Sequence, residues 1–168
     1  MKSPGFGWGI LFYSAYCHHT TSVVYCSRED GEWRISRMEI VSMTNADPKF
    51  YARLGPFLAR REVEKEIGYK IYDDDDKVWF IALEGERVLG FCYLARKTEA
   101  HYQIGSCYVV EAARREGIFR QLFTEATRNI KGAVSLTTRN QALIGMLERE
   151  GFSRLGMKGS FVRFAKEF

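Results

Sequence analysis

Tyr108-Val109-Val110-Glu111-Ala112-Ala113-Arg114-Arg115-Glu116-Gly117-Ile118-Phe119-Arg120-Gln121-Leu122-Phe123 is the stretch on which the reading of this chain turns. Its first three residues are β-prone and close a strand predicted over 102–110. From Ile118 onward the apolar residues Ile118, Leu122, Phe123 and Ala126 recur at helical spacing, so a loop ending in glycine feeds a helix. A glycine just before a helix lets backbone approach a ligand closely, and the first helical N–H groups lack internal partners and carry partial positive charge. Such a terminus binds phosphate. Arg114, Arg115 and Arg120 add full charges at the same place, within a span from Arg114 to Lys131 holding five basic and two acidic residues. The expected partner of this loop is an anion.

Outward from that loop the chain alternates helix and strand signals. Asp47-Pro48 opens a helix whose apolar positions are Tyr51, Leu54, Phe57 and Leu58. A second short helix is expected from Arg61 to Ile67. Residues 78–83 and 88–95 form a hairpin around Glu84-Gly85-Glu86-Arg87. After the loop, 133–138 is a strand and 140–150 a helix ended by Gly151, with Leu143, Ile144 and Leu147 on its apolar side. The tail supplies one or two strands carrying Phe161 and Phe164. Upstream, VVYCSREDGEWRIS reads as a hairpin, and Met38 opens a first strand of the main domain. Residues 1–37 are therefore expected to be an accessory extension, and 38–168 the single domain.

Composition bounds the function. A chain of 168 residues, 46% hydrophobic, can bury one sizeable core. The net charge of +4 is too small to imply duplex binding. Four scattered cysteines, two of them in apolar runs, fit a reducing compartment. The first residues lack a cleavable signal pattern, and no apolar run approaches the roughly 18 residues of a membrane span. The expectation is a cytoplasmic protein. Cys17-His18-His19 with Cys26 matches no common zinc spacing, so no metal is expected. The run Asp73 to Asp76 reads first as a solvated loop and second as an acidic lip for a cationic amine. The stripe Trp8, Phe12, Tyr13, Tyr16 reads as a packing surface.

The order strand, two helices, hairpin, strand, loop-to-helix, strand, helix, Gly-Phe, strand resembles the GNAT superfamily from about Met38 to the end. Tyr108-Val109, then Arg114-x-x-Gly117-x-Phe119, then Asn140 and Gly151-Phe152 carry the resemblance. The family loop has Gln or Arg, two residues, Gly, one residue, and Gly or Ala; Phe119 departs from it. The resemblance implies an α/β fold, a three-layer αβα sandwich around a mixed sheet whose two parallel strands splay apart. It implies acetyl-CoA as cosubstrate, with the pyrophosphate held by Arg114, Arg115, Glu116, Gly117, Ile118, Phe119 and Arg120. The pantetheine arm would lie near Tyr108, Val109, Val110 and Asn140, and an amine-bearing acceptor would attack the thioester.

A lysine-like amine, with a pKa of about 10.4, must lose a proton before it attacks. Where the family often places a glutamate base, eleven residues before Arg114, this chain has Gln103, and where it often places a tyrosine acid it has Leu147. His101 and Glu99 are the remaining local bases on the same strand's start. Two readings stay open beside amine acetylation: a CoA-binding module without efficient transfer, and an enzyme modifying a nucleic acid or protein, with Arg96 and Lys97 flanking the acceptor cleft. No membrane partner is expected, nucleic acid is the less favoured acceptor, and a homodimer is compatible with the chain.

Overall fold

A computed structural model describes residues 20–29 and 32–168, with side chains from Met38 on. The metal-capable cluster at Cys17 to His19 and the aromatic stripe before it lie outside the described residues. Among those residues eight strands form one sheet. They are β1 (Thr20–Glu29), β2 (Glu32–Met43), β3 (Lys77–Glu84), β4 (Arg87–Arg96), β5 (His101–Val109), β6 (Ala133–Thr138), β7 (Ser153–Lys158) and β8 (Phe161–Glu167). Their spatial order is β1-β2-β3-β4-β5-β6-β8-β7. Each neighbouring pair is antiparallel except β5 and β6, which are parallel and joined through a helical crossover.

The helices α1 (Phe50–Leu58) and α2 (Arg61–Ile67) cover one face of the sheet; α3 (Ile118–Thr127) and α4 (Gln141–Arg149) cover the other. The mixed three-layer arrangement expected from the sequence is thus present. One core joins Phe50, Leu54 and Val63 to Trp79, Ile81 and Phe91; the second joins Ile118, Leu122, Phe123, Ile144 and Leu147 to Ile104, Val134 and Leu136. Alternation along β3 and β4 sends successive side chains to these two cores.

Several local details differ from the sequence reading. Helix α1 starts at Phe50, because Asp47 accepts from the Lys49 and Phe50 amides in a turn before the helix. Its buried residues are Phe50 and Leu54, while Tyr51 is exposed and donates its hydroxyl to Asp73. Phe161 and Phe164 stand an odd number of residues apart and so face opposite sides: Phe164 is fully buried in the α3/α4 core, and Phe161 lies beside Tyr69 on the α2 side. Strand β2 runs without interruption from Glu32 through Met38 to Met43, pairing with β1 over 32–41 and with β3 over 38–43.

Two glycines shape the centre. Opposite Phe91 to Tyr93 of β4, strand β5 carries one extra residue between Gly105 and Tyr108, a bulge in which Ser106 has φ 48°. A bulge bends its strand and increases its twist. The last β5–β6 partner pair is Ile104 with Leu136, just before it, and beyond that level the two strands are unpaired. Gly68, with φ +98°, ends α2; a Cβ there would lie 2.6 Å from the Phe161 ring and 2.7 Å from Arg139 Nε. Conformation and space both demand glycine, and the turn it makes delivers Tyr69 to the gap between the strands.

Candidate functional site

Where β5 and β6 part, a shallow cleft opens between them, lined among others by Cys107 of β5, Thr137 and Thr138 of β6, Asn140 and Tyr69. The β5 edge that β6 leaves bare is capped by two side chains. The Ser106 amide donates to Tyr69 Oη at 2.7 Å, and Arg114 Nε donates to the Val109 carbonyl at 3.0 Å. Both caps come from outside the sheet. Arg114 also pairs with Glu66 of α2 at 2.6 Å, tying the loop to the opposite layer.

On the cleft's far wall, Asn140 caps α4: its Oδ1 accepts from Ala142 N at 3.0 Å and Leu143 N at 3.2 Å. That leaves its amide NH2 as a donor at the cleft lining. The segment after β5 passes through one 3-10 turn (Glu111–Ala113) to Arg115, with φ 73°, and Gly117, with φ 75°. Two left-handed positions so close together turn backbone N–H groups toward one side, a concavity suited to an anion. The first internal helical bond runs from Gln121 N to Gly117 O, so the amides of 118–120 have no acceptor within α3. A Cβ on Gly117 would meet nothing within 4 Å, so the loop's approach is open.

The cationic side chains divide. Arg120 reaches Glu150 at 2.8 Å and Arg114 is held by Glu66, while Arg115 has no ion pair among the described residues. Phe119, the departure from the loop pattern, turns onto the α3/α4 core and lies 6.4 Å from the Phe123 ring, so its bulk leaves the loop clear.

Around the bulge three groups are pushed toward their protonated forms. Burial raises the Tyr69 hydroxyl to about 12 and the Cys107 thiol well above its ordinary value. Tyr93 is also raised, by burial first and then by Tyr69 and Cys107. The Tyr93 hydroxyl occupies the place where a side chain on Gly105 would be, which is why β5 has glycine before its bulge. The Lys77 ammonium sits 4.7 Å from the Tyr93 ring centroid.

The structure gathers Tyr108, Val109, Val110, the loop 114–120 and Asn140 at one end of β5. It sets Glu99, His101 and Gln103 apart. Gln103 is paired on both sides, with Ala95 of β4 and Ser135 of β6, and His101 Nε2 lies 2.9 Å from Ser135 Oγ. Five strand steps of about 3.3 Å separate His101 from Ser106, roughly 16 Å. Leu147 is fully buried in the core. Arg96 donates to the Thr98 carbonyl and Lys97 pairs with Asp76, both at the His101 end. The acidic run is also engaged: Asp73 with Tyr51, Asp74 with Lys77, Asp75 with Asn45 and Asp76 with Lys97. The hydrogen bond from Lys77 holds Asp74 below its ordinary value. Sequence reading missed Tyr69 because its partner Ser106 is 37 residues away; the one available sign was a tyrosine directly after a helix-ending glycine.

Among the described residues no cluster of His, Cys, Asp or Glu could hold a metal, and no helix is long and apolar enough to cross a membrane. The model of the acetyltransferase (GNAT) family matches residues 38–152. The chain is similar in fold to the solved structure of ElaA from Escherichia coli, with 18% identity, TM-score 0.63, covering 77% of this chain and 99% of that one. An acyl-CoA N-acyltransferase from Pseudomonas aeruginosa is similar at 17% identity and TM-score 0.61, with 77% and 99% covered. A GNAT family acetyltransferase from Elizabethkingia anophelis, with acetyl-CoA bound, is similar at 13% identity and TM-score 0.55, with 78% and 98% covered. No curated protein matches the chain.

Proposed function

This chain belongs to the acetyltransferase (GNAT) family and is an acyltransferase, and from that premise we propose that it moves an acetyl group from acetyl-CoA to the primary amine of an acceptor. The observation that carries this reading is the cleft between the parted strands, on the same strand β5 that leads into a loop ending in a left-handed glycine at a helix start with open space in front of it. The residues there fit the cosubstrate. The amides of 118–120, with Arg115, hold the pyrophosphate. The bare edge of β5 around Cys107 to Val109 and the Asn140 amide hold the pantetheine arm.

Acetyl-CoA supplies an acyl group already activated as a thioester. The chain's part is to orient it in the cleft and to admit a neutral amine. Gln103 cannot accept a proton, and His101 and Glu99 lie at the other end of β5. The amine's proton therefore leaves through water, or the amine arrives neutral. The unpaired Cys92 and Cys107 support a reducing, cytoplasmic setting.

A thermal-shift series with acetyl-CoA and CoA tests the binding half of this reading, because a ligand of the native state raises stability by mass action. Thiol release from acetyl-CoA with a panel of amines tests the transfer half. The missing carboxylate at Gln103 favours one rival, a module that binds CoA without efficient transfer; tight binding with no thiol release would select it.

A further inference from the structure

Among the described residues the sheet ends at β1 on one side and at β7 on the other, and the two edges are built in opposite ways. Strand β7 is short, carries Arg154 and Lys158, and breaks its register with β8 at a bulge between Arg154 and Gly156. Charge, shortness and bulges keep an edge from pairing with another chain. Strand β1 has none of these devices over 20–26, where it holds no charge and no proline, and its register with β2 runs from Thr20 to Glu29 without a shift. Its Thr, Val and Tyr residues favour strands. The family model begins at residue 38, so this edge is an addition to the matched fold.

Part of that addition extends past the rest of the sheet. Strand β3 pairs with β2 only over 38–43, so 32–37 and their partners 24–29 run beyond the end of β3 as a two-stranded ribbon, roughly 20 Å long. A ribbon of two strands is marginally stable by itself in water. We propose that the outer edge of β1 pairs antiparallel with β1 of a second copy of this chain, across a two-fold axis at Val24, so that the two sheets join into one.

A second copy is the occupant that this edge fits. A two-fold axis through an edge strand opposes residues of equal parity, and closed pairs of this kind are the commonest assembly of identical chains. Centred on Val24, the axis sets Val24 against itself and Val23 against the partner's Tyr25, pairs of β-branched and aromatic residues that stabilise a sheet. Arg28 meets the partner's Thr20, so no like charges are opposed. The register also follows the overhang. Val24 is the first β1 residue of the ribbon, so each ribbon lies beside the half of β1 that the partner's own sheet supports. Each ribbon then belongs to a sheet of more than two strands. A strongly charged partner is not matched, since 20–37 holds three basic and three acidic residues.

The test is sedimentation velocity of the full chain at micromolar concentration, comparing wild type with Val24→Lys, Val24→Glu, an equimolar mixture of those two, and Met157→Lys at the exposed opposite edge. Wild type and Met157→Lys should sediment as dimers. Each Val24 variant alone opposes like charges, which should weaken association on the order of a hundredfold and leave monomer. The mixture opposes unlike charges and should recover dimer, which a contact elsewhere on the surface would not do. A monomeric wild type, the outcome expected if another segment of the chain covers the edge, overturns the proposal. So does a dimer that survives both Val24 substitutions, a dimer lost in Met157→Lys, or a mixture of folded variants that stays monomeric. Hydrogen exchange on the wild type gives a reading that poor folding of a variant cannot spoil: the amides of 20–28 should lose protection on dilution to monomer, and unchanged protection overturns the assignment.

Discussion

Strand β5 has two halves of opposite character. From His101 to Ile104 it is paired on both sides, with β4 and with β6, and its backbone groups are consumed by the sheet. From Gly105 to Val109 it keeps only β4, bends at Ser106, and has its bare edge capped by Tyr69 and Arg114. The first half carries the residues that resemblance marks for proton transfer. The second carries the unpaired backbone, the cleft and the buried hydroxyls. Where a sheet gives up pairing, backbone donors become available to a ligand, and the site follows that boundary.

The sharpest way to break this division is at the loop that closes the open half. Gly117→Val forces a β-branched residue to φ 75° and puts methyl groups in front of the 118–120 amides. It should weaken CoA binding by about a hundredfold or more, read by calorimetry, while the circular dichroism spectrum stays native. Next is Gly105→Ala, which places a methyl group on the Tyr93 hydroxyl. Overpacking of this kind costs about 1 to 3 kcal/mol, and chemical denaturation should show it. Gly145→Ala in α4, whose added methyl group would meet its nearest neighbour at an ordinary 3.6 Å, provides the uncrowded control.

A smaller effect is expected at Arg114. The ion pair with Glu66 is more than a third exposed on each side, so it contributes at most about 1 kcal/mol. Arg114→Ala should weaken CoA binding about tenfold or less, chiefly by releasing the Val109 carbonyl and the edge it holds. The smallest effect belongs to the closed half: His101→Ala should leave CoA affinity within about twofold and lower stability by about 1 kcal/mol through the lost Ser135 contact. A large affinity loss there would erase the distinction between the halves.

Much of the scaffold was legible in the sequence. The boundaries of α2, Arg61 to Ile67, coincide with the expected ones, since they rest on a charge-patterned segment ended by glycine. Ile118, Leu122, Phe123 and Ala126 are all buried, as their spacing requires. The anion loop was visible because its ingredients are contiguous. The cleft was not, because it depends on a one-residue register change between β4 and β5 and on side chains far apart in sequence. Gly105 within a strand run was the available clue: a glycine there often marks a bulge or a close approach. The acidic run was ambiguous from composition, and only its four partners, three of them distant, show it tied into the fold.

The central claim, that the open half of β5 is the cosubstrate site, is tested most directly by a crystal structure of the protein grown with CoA. The account predicts the pyrophosphate on the 118–120 amides, with the pantetheine arm between Cys107 to Val109 on one side and Thr137 to Asn140 on the other. CoA bound elsewhere, with the β5–β6 cleft unchanged and the Gly117 loop uncontacted, would contradict it.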